Sequence, residues 1–155
     1  MYFNTNAVLE QAKEHDSFYL YDEKVILERA ERLKKAFEGI GLLYSIKTNP
    51  YVNVVKTVFS KGFGADAASF NEVLLAEKCG LKKDEIYYSA PGKTPFDIEG
   101  AVEKSIITAD SLNEIDLIEK TAQSKGITAE IGVRINPDFS FYGGKGTASK
   151  FGIEE

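Results

Sequence analysis

The stretch GLLYSIKTNPY, residues 41–51, places a short apolar segment directly before a lysine and a loop. Residues 42–46 have the aliphatic and aromatic composition of a strand. A doubly wound nucleotide-binding sheet usually carries a G-x-G-x-x-G loop after its first strand, and this stretch contains none. Lys47 follows the strand instead, where a (β/α) barrel places functional residues. The stretch therefore favours a barrel over a nucleotide-binding sheet.

The pattern of a short strand followed by a helix repeats along the chain. The predicted strands are residues 42–46, 63–67, 86–89, 105–108 and 129–135. Their regular spacing, with helical patterns between them, is typical of βα units and a parallel sheet. A complete eight-stranded barrel needs about 250 residues. We therefore predict an α/β fold, a partial (β/α)8 TIM-type barrel of about five βα units. Functional side chains are expected at the strand ends, which carry Lys47, Asp66, Ser89 and Arg134.

Capping residues mark where the intervening helices begin and end. The predicted starts are Asp22, Asn49 with Pro50, Ser69 with Glu72, Thr94 with Pro95, and Ser111 with Glu114. The two Ser-x-x-Glu pairs match the capping box, in which each side chain accepts a hydrogen bond from the other residue's backbone N–H. Gly80 and Gly126 are predicted to end two of the helices.

The bulk composition excludes several classes of protein. The chain has 155 residues, of which 43% are hydrophobic and 28% charged, the balance of an ordinary globular protein. A formal net charge of −5 argues against nucleic-acid binding, which requires an excess of clustered basic residues. The N-terminus lacks the pattern of a secretory signal, so a cytoplasmic location is expected. These features predict a small-molecule partner and neither a nucleic acid nor a membrane.

The single cysteine and single histidine restrict the chemistry further. One cysteine can form neither an internal disulfide nor a multi-thiolate zinc site, and no metal site is predicted. Cys79 is expected to be packed near a helix end. His15 lies in a polar segment and is expected to be a surface residue, which leaves no Ser-His-Asp catalytic triad.

Lys47 is the residue whose position most suggests chemistry. Strand alternation would place it among buried neighbours, and burial lowers a lysine's pKa and leaves a neutral amine that can condense with an aldehyde. The alternative is a lysine that leaves the strand and extends into solvent. Both interpretations remain open from this local pattern.

Residues 44–51, YSIKTNPY, resemble the lysine strand of fold-type III pyridoxal-phosphate enzymes, which include alanine racemase and the diaminopimelate, ornithine and arginine decarboxylases. The resemblance extends in order along the chain. Residues 17–37 are similar to the leading segment of diaminopimelate decarboxylases. Residues 62–80, 86–106 and 107–120 are similar to their next three βα units. Residues 131–139 and 148–153 resemble the fifth strand and the approach to the sixth.

This resemblance implies pyridoxal 5'-phosphate as cofactor and assigns roles to individual residues. Lys47 would be the catalytic lysine that holds the cofactor as an internal aldimine. Asp66 would be a carboxylate near that bond, with a loop acceptor as the alternative. Arg134 would lie close to the cofactor, with a surface ion pair as the alternative. Tyr51 would lie near the phosphate, with plain packing as the alternative.

The resemblance also implies that parts of the family's enzyme lie beyond these residues. Residues 1–155 correspond to the N-terminal part of an alanine-racemase-type barrel domain. The rest of the barrel, with its stacking histidine and phosphate-binding glycine loop, and the β-rich domain are absent from the sequence. Ser149 and Lys150 match a motif near the active-site rim and a dimer contact. An open partial barrel leaves an unpaired strand edge and an uncovered apolar face, which favour self-association, so we expect a homo-oligomer. We also expect no activity from this chain alone.

The implied activity is pyridoxal-phosphate-dependent decarboxylation of a diaminopimelate-like or basic amino acid by the parent protein. One alternative is a non-catalytic pyridoxal-phosphate-binding protein of the same fold, with a homeostatic or regulatory role. The other is an unrelated βα-repeat domain that binds a small ligand.

Overall fold

The computed structural model describes residues 3–139 and 151–154. Its helices are α1 (Thr5–Glu14), α2 (Glu23–Ala36), α3 (Val52–Phe59), α4 (Phe70–Lys78), α5 (Pro95–Ala101) and α6 (Leu112–Lys125). Its strands are β1 (Leu43–Ser45), β2 (Gly64–Ala67), β3 (Ile86–Ser89), β4 (Ile106–Ala109), β5 (Ile131–Val133), β6 (Ile135–Asn136) and β7 (Ile153–Glu154). Short 3-10 turns span Ile46–Thr48 and Lys83–Glu85. No helix among the described residues combines the length and apolarity needed to cross a membrane.

The five main strands form a parallel sheet in the order β1-β2-β3-β4-β5, and β6 pairs separately with β7. Each main strand pairs with the strands before and after it in the chain, and the order never reverses. A doubly wound sheet reverses its strand order at the ligand site, whereas a barrel adds strands sequentially. The predicted α/β fold and partial barrel are therefore confirmed.

Helices cover one face of this sheet and leave the other open. Alternation along the strands points Ala65, Ala67, Ile86, Tyr88 and Ile107 into the core against the helices, and all five are buried. The residues between them, such as Asp66, Tyr87 and Ser89, face the opposite side and are only partly buried or exposed. This open face corresponds to the interior of a barrel.

The predicted strand bounds agree with the structure for β3 and differ elsewhere. Strand β4 begins one residue later than predicted, since Ser105 still donates to the carbonyl of Ala101 at the end of α5. The single strand predicted over residues 129–135 is wrong. There the chain changes partner at Arg134, whose N–H donates to Ala109 while its carbonyl accepts from Ile153. Strand β5 therefore pairs with β4, and β6 pairs with β7.

The predicted helix caps are correct at Asp22, Thr94, Ser69 and Ser111. Gly126 ends α6 in a left-handed conformation, and Gly80 follows α4 with a φ of 101°.

Two details of the predicted caps are wrong. Glu72 and Glu114 do not accept from the capping serines but from the residues before them, Ala68 (2.8 Å) and Asp110 (2.9 Å). Asn49 does not cap a helix either. Its Oδ1 accepts from the N–H of Tyr51 at 3.1 Å, and α3 begins only at Val52.

Candidate functional site

Four of the strand ends meet in one cleft with a volume of about 510 Å³. Lys47 lies beyond β1, Ala68 beyond β2, and Ser89 at the end of β3. Arg134 lies between β5 and β6, and Phe151 precedes β7. The sheet thus brings Lys47, Ser89 and Arg134 together, as the barrel prediction requires.

Lys47 is exposed rather than surrounded by buried neighbours, which corrects the expectation from strand alternation. Strand β1 stops at Ser45, and the 3-10 turn Ile46–Thr48 buries Ile46 completely. This turn is closed by the N–H of Asn49, which donates to the carbonyl of Ile46 at 3.0 Å. Among residues 3–139 and 151–154, no hydrogen-bond or ion-pair partner contacts the Nζ of Lys47. The side chain of Lys47 lines the cleft.

Asp66 lies on the open face of the sheet, beside Ser45 in the β1–β2 register. The Ser45 hydroxyl donates to Asp66 Oδ2 at 2.8 Å, so the carboxylate is held in place by a neighbouring strand. Asp66 is half-buried and does not line the cleft itself. It lies one residue before the end of β2, below the level of Lys47 in the sheet.

Arg134 is held by two side chains from neighbouring strand ends. Its Nη1 donates to Asp110 Oδ1 at 3.0 Å, and its Nη2 donates to Ser89 Oγ at 2.6 Å. The guanidinium also lies 5.4 Å from the centre of the Phe151 ring. Arg134 does form an ion pair, but with an aspartate whose side chain is 6% exposed rather than on the open surface. Such a buried partner fixes the orientation of the guanidinium.

Tyr51 lines a different cleft. Its ring stacks on Tyr21 with centroids 6.0 Å apart, and Tyr21 stacks in turn on Tyr19 at 6.3 Å. These three tyrosines line an aromatic cleft of about 750 Å³ between α2 and α3. The structure therefore does not bring Tyr51 together with Lys47 in one cleft, although they are only four positions apart in the chain.

The remaining predicted residues lie away from the cleft or outside the described part of the chain. Ser149 and Lys150 fall outside the described residues. His15 is exposed at the end of α1, a helix that the sequence analysis did not predict. Cys79 caps the end of α4, where partial burial raises the pKa of its thiol against the opposing charges of Lys56 and Lys78. A thiol with a raised pKa is a packing residue rather than a nucleophile.

A buried ion pair beside the cleft was missed in the sequence analysis. Lys93 and Glu114 lie 2.8 Å apart, with side chains 0% and 5% exposed. The Lys93 ammonium also lies 5.4 Å from the ring centre of Tyr88. Burial, and to a smaller extent the carboxylates of Asp97 and Glu114, raise the pKa of Tyr88 to about 12. The spacing of Glu114 from Ser111 indicated only a helix cap. Nothing in the local sequence indicated that Glu114 pairs with Lys93, 21 positions earlier in the chain.

Comparison of the sequence with known proteins identifies a matching family and similar relatives. Residues 23–155 match the family described as "Pyridoxal-dependent decarboxylase, pyridoxal binding domain". A diaminopimelate decarboxylase of Helicobacter pylori (strain J99) is 37% identical over 147 residues, which cover 89% of this chain and 36% of that protein. An L-glutamyl-[BtrI acyl-carrier protein] decarboxylase of Niallia circulans is 34% identical over 145 residues, covering 89% of this chain and 34% of that one.

A solved structure shares the fold. The crystal structure of diaminopimelate decarboxylase from Helicobacter pylori complexed with L-lysine superposes with a TM-score of 0.75 and 35% identity. The match covers 85% of this chain and 35% of that one. The chain thus spans about a third of the length of the relatives that it matches.

Proposed function

The chain belongs to the family of the pyridoxal-dependent decarboxylase pyridoxal-binding domain, and from this premise we propose that Lys47 bonds covalently to pyridoxal phosphate in the cleft. The observation that carries the proposal is that Lys47 and Arg134 line the same cleft. An amine is the group that condenses with the cofactor's aldehyde. The cleft volume of about 510 Å³ lies within the range of small-ligand sites.

Arg134 and Asp66 have complementary roles in this proposal. Arg134 presents a fixed positive charge to the cleft and would orient an anionic group of the cofactor or substrate. Asp66, held by Ser45, would favour positive charge near the Lys47 amine. The proposed site does not include Tyr51, since Tyr51 lines the aromatic cleft.

We propose that the whole protein decarboxylates an amino acid. When bound, pyridoxal phosphate withdraws electrons from the bond that releases carbon dioxide. The Lys47 amine would be placed to return a proton to the carbon that loses the carboxylate. The support for diaminopimelate or a similar amino acid is the activity named for the Helicobacter pylori relative. The Niallia circulans relative acts on a different substrate at nearly the same identity, so this preference needs direct measurement.

Trapping of the cofactor tests the proposed lysine. The protein is incubated with pyridoxal phosphate, treated with sodium borohydride to make the cofactor–lysine bond permanent, and digested for mass spectrometry. We expect the label on Lys47 and its loss in Lys47→Ala. Lys35→Ala is the matched control, because Lys35 is exposed on α2 and lies outside the cleft. Labelling that survives in Lys47→Ala, or that spreads evenly over surface lysines, would contradict the proposal.

Carbon dioxide release tests the activity. The full-length protein is assayed with diaminopimelate, lysine, ornithine and arginine in the presence of pyridoxal phosphate. We expect release from at least one of these amino acids, and none from the Lys47→Ala variant. A full-length protein that is labelled at Lys47 but releases no carbon dioxide would instead be a non-catalytic carrier of the cofactor.

A further inference from the structure

We propose that the buried pair of Lys93 and Glu114 is a positioning element that orients Arg134 in the cleft. Both side chains are almost fully buried, at 0% and 5% exposure. Burial of two charges costs free energy that their mutual attraction offsets only in part, and an apolar pair of similar size is often as stable. The contacts of these two charges indicate what they do besides stabilising the fold.

The side chains of the pair form hydrogen bonds with backbone groups of two segments, the loop after β3 and the end of β4. Lys93 Nζ donates to the carbonyl of Ala90 at 2.5 Å and to that of Thr108 at 2.7 Å. Glu114 accepts from the N–H of Lys93 at 3.1 Å and from that of Asp110 at 2.9 Å. Four backbone groups from two segments are therefore fixed around one ion pair.

Both side chains that hold Arg134 belong to the segments that the pair joins. Ser89 directly precedes Ala90, and Asp110 donates its own N–H to Glu114. The Asp110 carboxylate is nearly buried, and it accepts from Arg134 Nη1 and from the N–H of Gly152, both at 3.0 Å. The separation of Ser89 and Asp110, and with it the plane of the guanidinium, therefore depends on the Lys93–Glu114 pair.

Neither Lys93 nor Glu114 lines the cleft, so their effect on a ligand would pass through Arg134. Arg134 has five N–H donors, and its hydrogen bonds to Asp110 and Ser89 use two of them, which leaves others for an anion in the cleft. A guanidinium released from Ser89 and Asp110 would keep its charge but lose its orientation. Lys93 and Glu114 are thus positioning residues, and they are distinct from the proposed Lys47 site.

A measurement without ligand tests the positioning itself. In NMR spectra of the 15N-labelled protein, a guanidinium held at both ends gives separate Nη1 and Nη2 signals, assigned here by their loss in Arg134→Ala. We expect Glu114→Gln to merge these two signals. Glu119→Gln, the same chemical change at an exposed position of α6, should leave them separate. Separate signals in a folded Glu114→Gln variant would overturn the proposal.

The double variant Lys93→Met with Glu114→Gln keeps the test decisive if the single variant fails to fold. It leaves no unpaired buried charge, so it should lose less stability than Glu114→Gln alone. The carbonyls of Ala90 and Thr108 would still lose their shared donor. We expect merged Arg134 signals in this folded variant as well, and separate signals would overturn the proposal.

A ligand measurement then tests the consequence for the site, and only this step rests on the proposed function. We expect Glu114→Gln to weaken pyridoxal phosphate binding about twofold to thirtyfold, the range for network residues that do not touch a ligand. In an Arg134→Ala background the same change should alter the dissociation constant less than about twofold, because the residue it acts through is gone. Equal weakening in both backgrounds would overturn the inference. If the wild type binds no pyridoxal phosphate, the proposed function fails while the NMR result still decides the positioning role.

Discussion

Gly64 is predicted to be essential because the structure has no room for a side chain at this position. Its backbone does not need a conformation that only glycine adopts. It is the first residue of β2, between β1 and β3. A Cβ at this position would lie 2.6 Å from the carbonyl oxygen of Glu85 and 2.7 Å from Cδ2 of Leu43. The Glu85 oxygen belongs to the backbone and cannot rotate away. Gly64→Ala therefore forces β2 away from a neighbouring strand.

Gly132 provides a matched control on β5. A Cβ there would lie 3.2 Å from Oγ1 of Thr108, a side-chain atom that can rotate. Overpacking lowers the free energy of unfolding by about 1–3 kcal/mol. Replacing glycine with alanine also restricts the unfolded chain, which raises the free energy of unfolding by about 0.4–1 kcal/mol. We expect Gly64→Ala to lower the free energy of unfolding by about 1–2 kcal/mol and Gly132→Ala to change it little.

Urea unfolding followed by circular dichroism measures this difference, and thermal unfolding checks it independently. At about 2–4 °C per kcal/mol for a chain of this size, the Gly64→Ala midpoint should fall by about 2–8 °C. A Gly64→Ala variant as stable as the wild type, or no less stable than Gly132→Ala, would refute the steric argument.

Two further predictions concern α5 and Tyr88. Thr94 caps α5 by accepting from the N–H of Asp97 at 3.2 Å, so Thr94→Ala should cost about 1 kcal/mol in urea unfolding. The exposed Thr128 serves as the control, and an equal loss in Thr128→Ala would argue against the cap. The pKa of Tyr88 is raised from 10.0 to about 12, so the folded state holds its phenol proton more tightly. The resulting contribution to the free energy of unfolding, about 3 kcal/mol, is fully present below pH 10 and is lost as the pH rises from 10 to 12. Tyr88→Phe should therefore lose less stability over this pH range than the wild type, and equal losses would contradict the assignment.

Local signals in the sequence were sufficient for most of the fold. Ser111 and Gly126 bound α6 because a side-chain acceptor and a left-handed glycine act on adjacent backbone. The strand ends predicted the cleft because parallel strands bring their C-terminal ends to one edge. This reasoning predicts Lys47, Asp66, Ser89 and Arg134 at one edge of the sheet, and Lys47, Ser89 and Arg134 line the cleft there.

The parts that could not be predicted depend on contacts between distant residues. Lys93 and Glu114 are 21 positions apart, and only the packing of β3 against β4 brings them together. The 3-10 turn after β1 lifts Lys47 out of the strand pattern, so alternation gave the wrong burial. Tyr51 was expected near the phosphate from the family resemblance, whereas in the structure it stacks on Tyr21 and lines the aromatic cleft. Helix α1, which was not predicted, contains no buried residue.

The sequential order of the five main strands bears on how the protein folds during synthesis. Paired residues such as Leu43 with Gly64 and Tyr87 with Ile106 lie only about 20 positions apart. Closure of such short loops costs little entropy, and chains rich in near-neighbour contacts fold fast for their size. Each βα unit can dock on the one before it as it leaves the ribosome, without waiting for a distant strand. A nascent chain paused after α4 should therefore already protect the amides of β2 from hydrogen exchange.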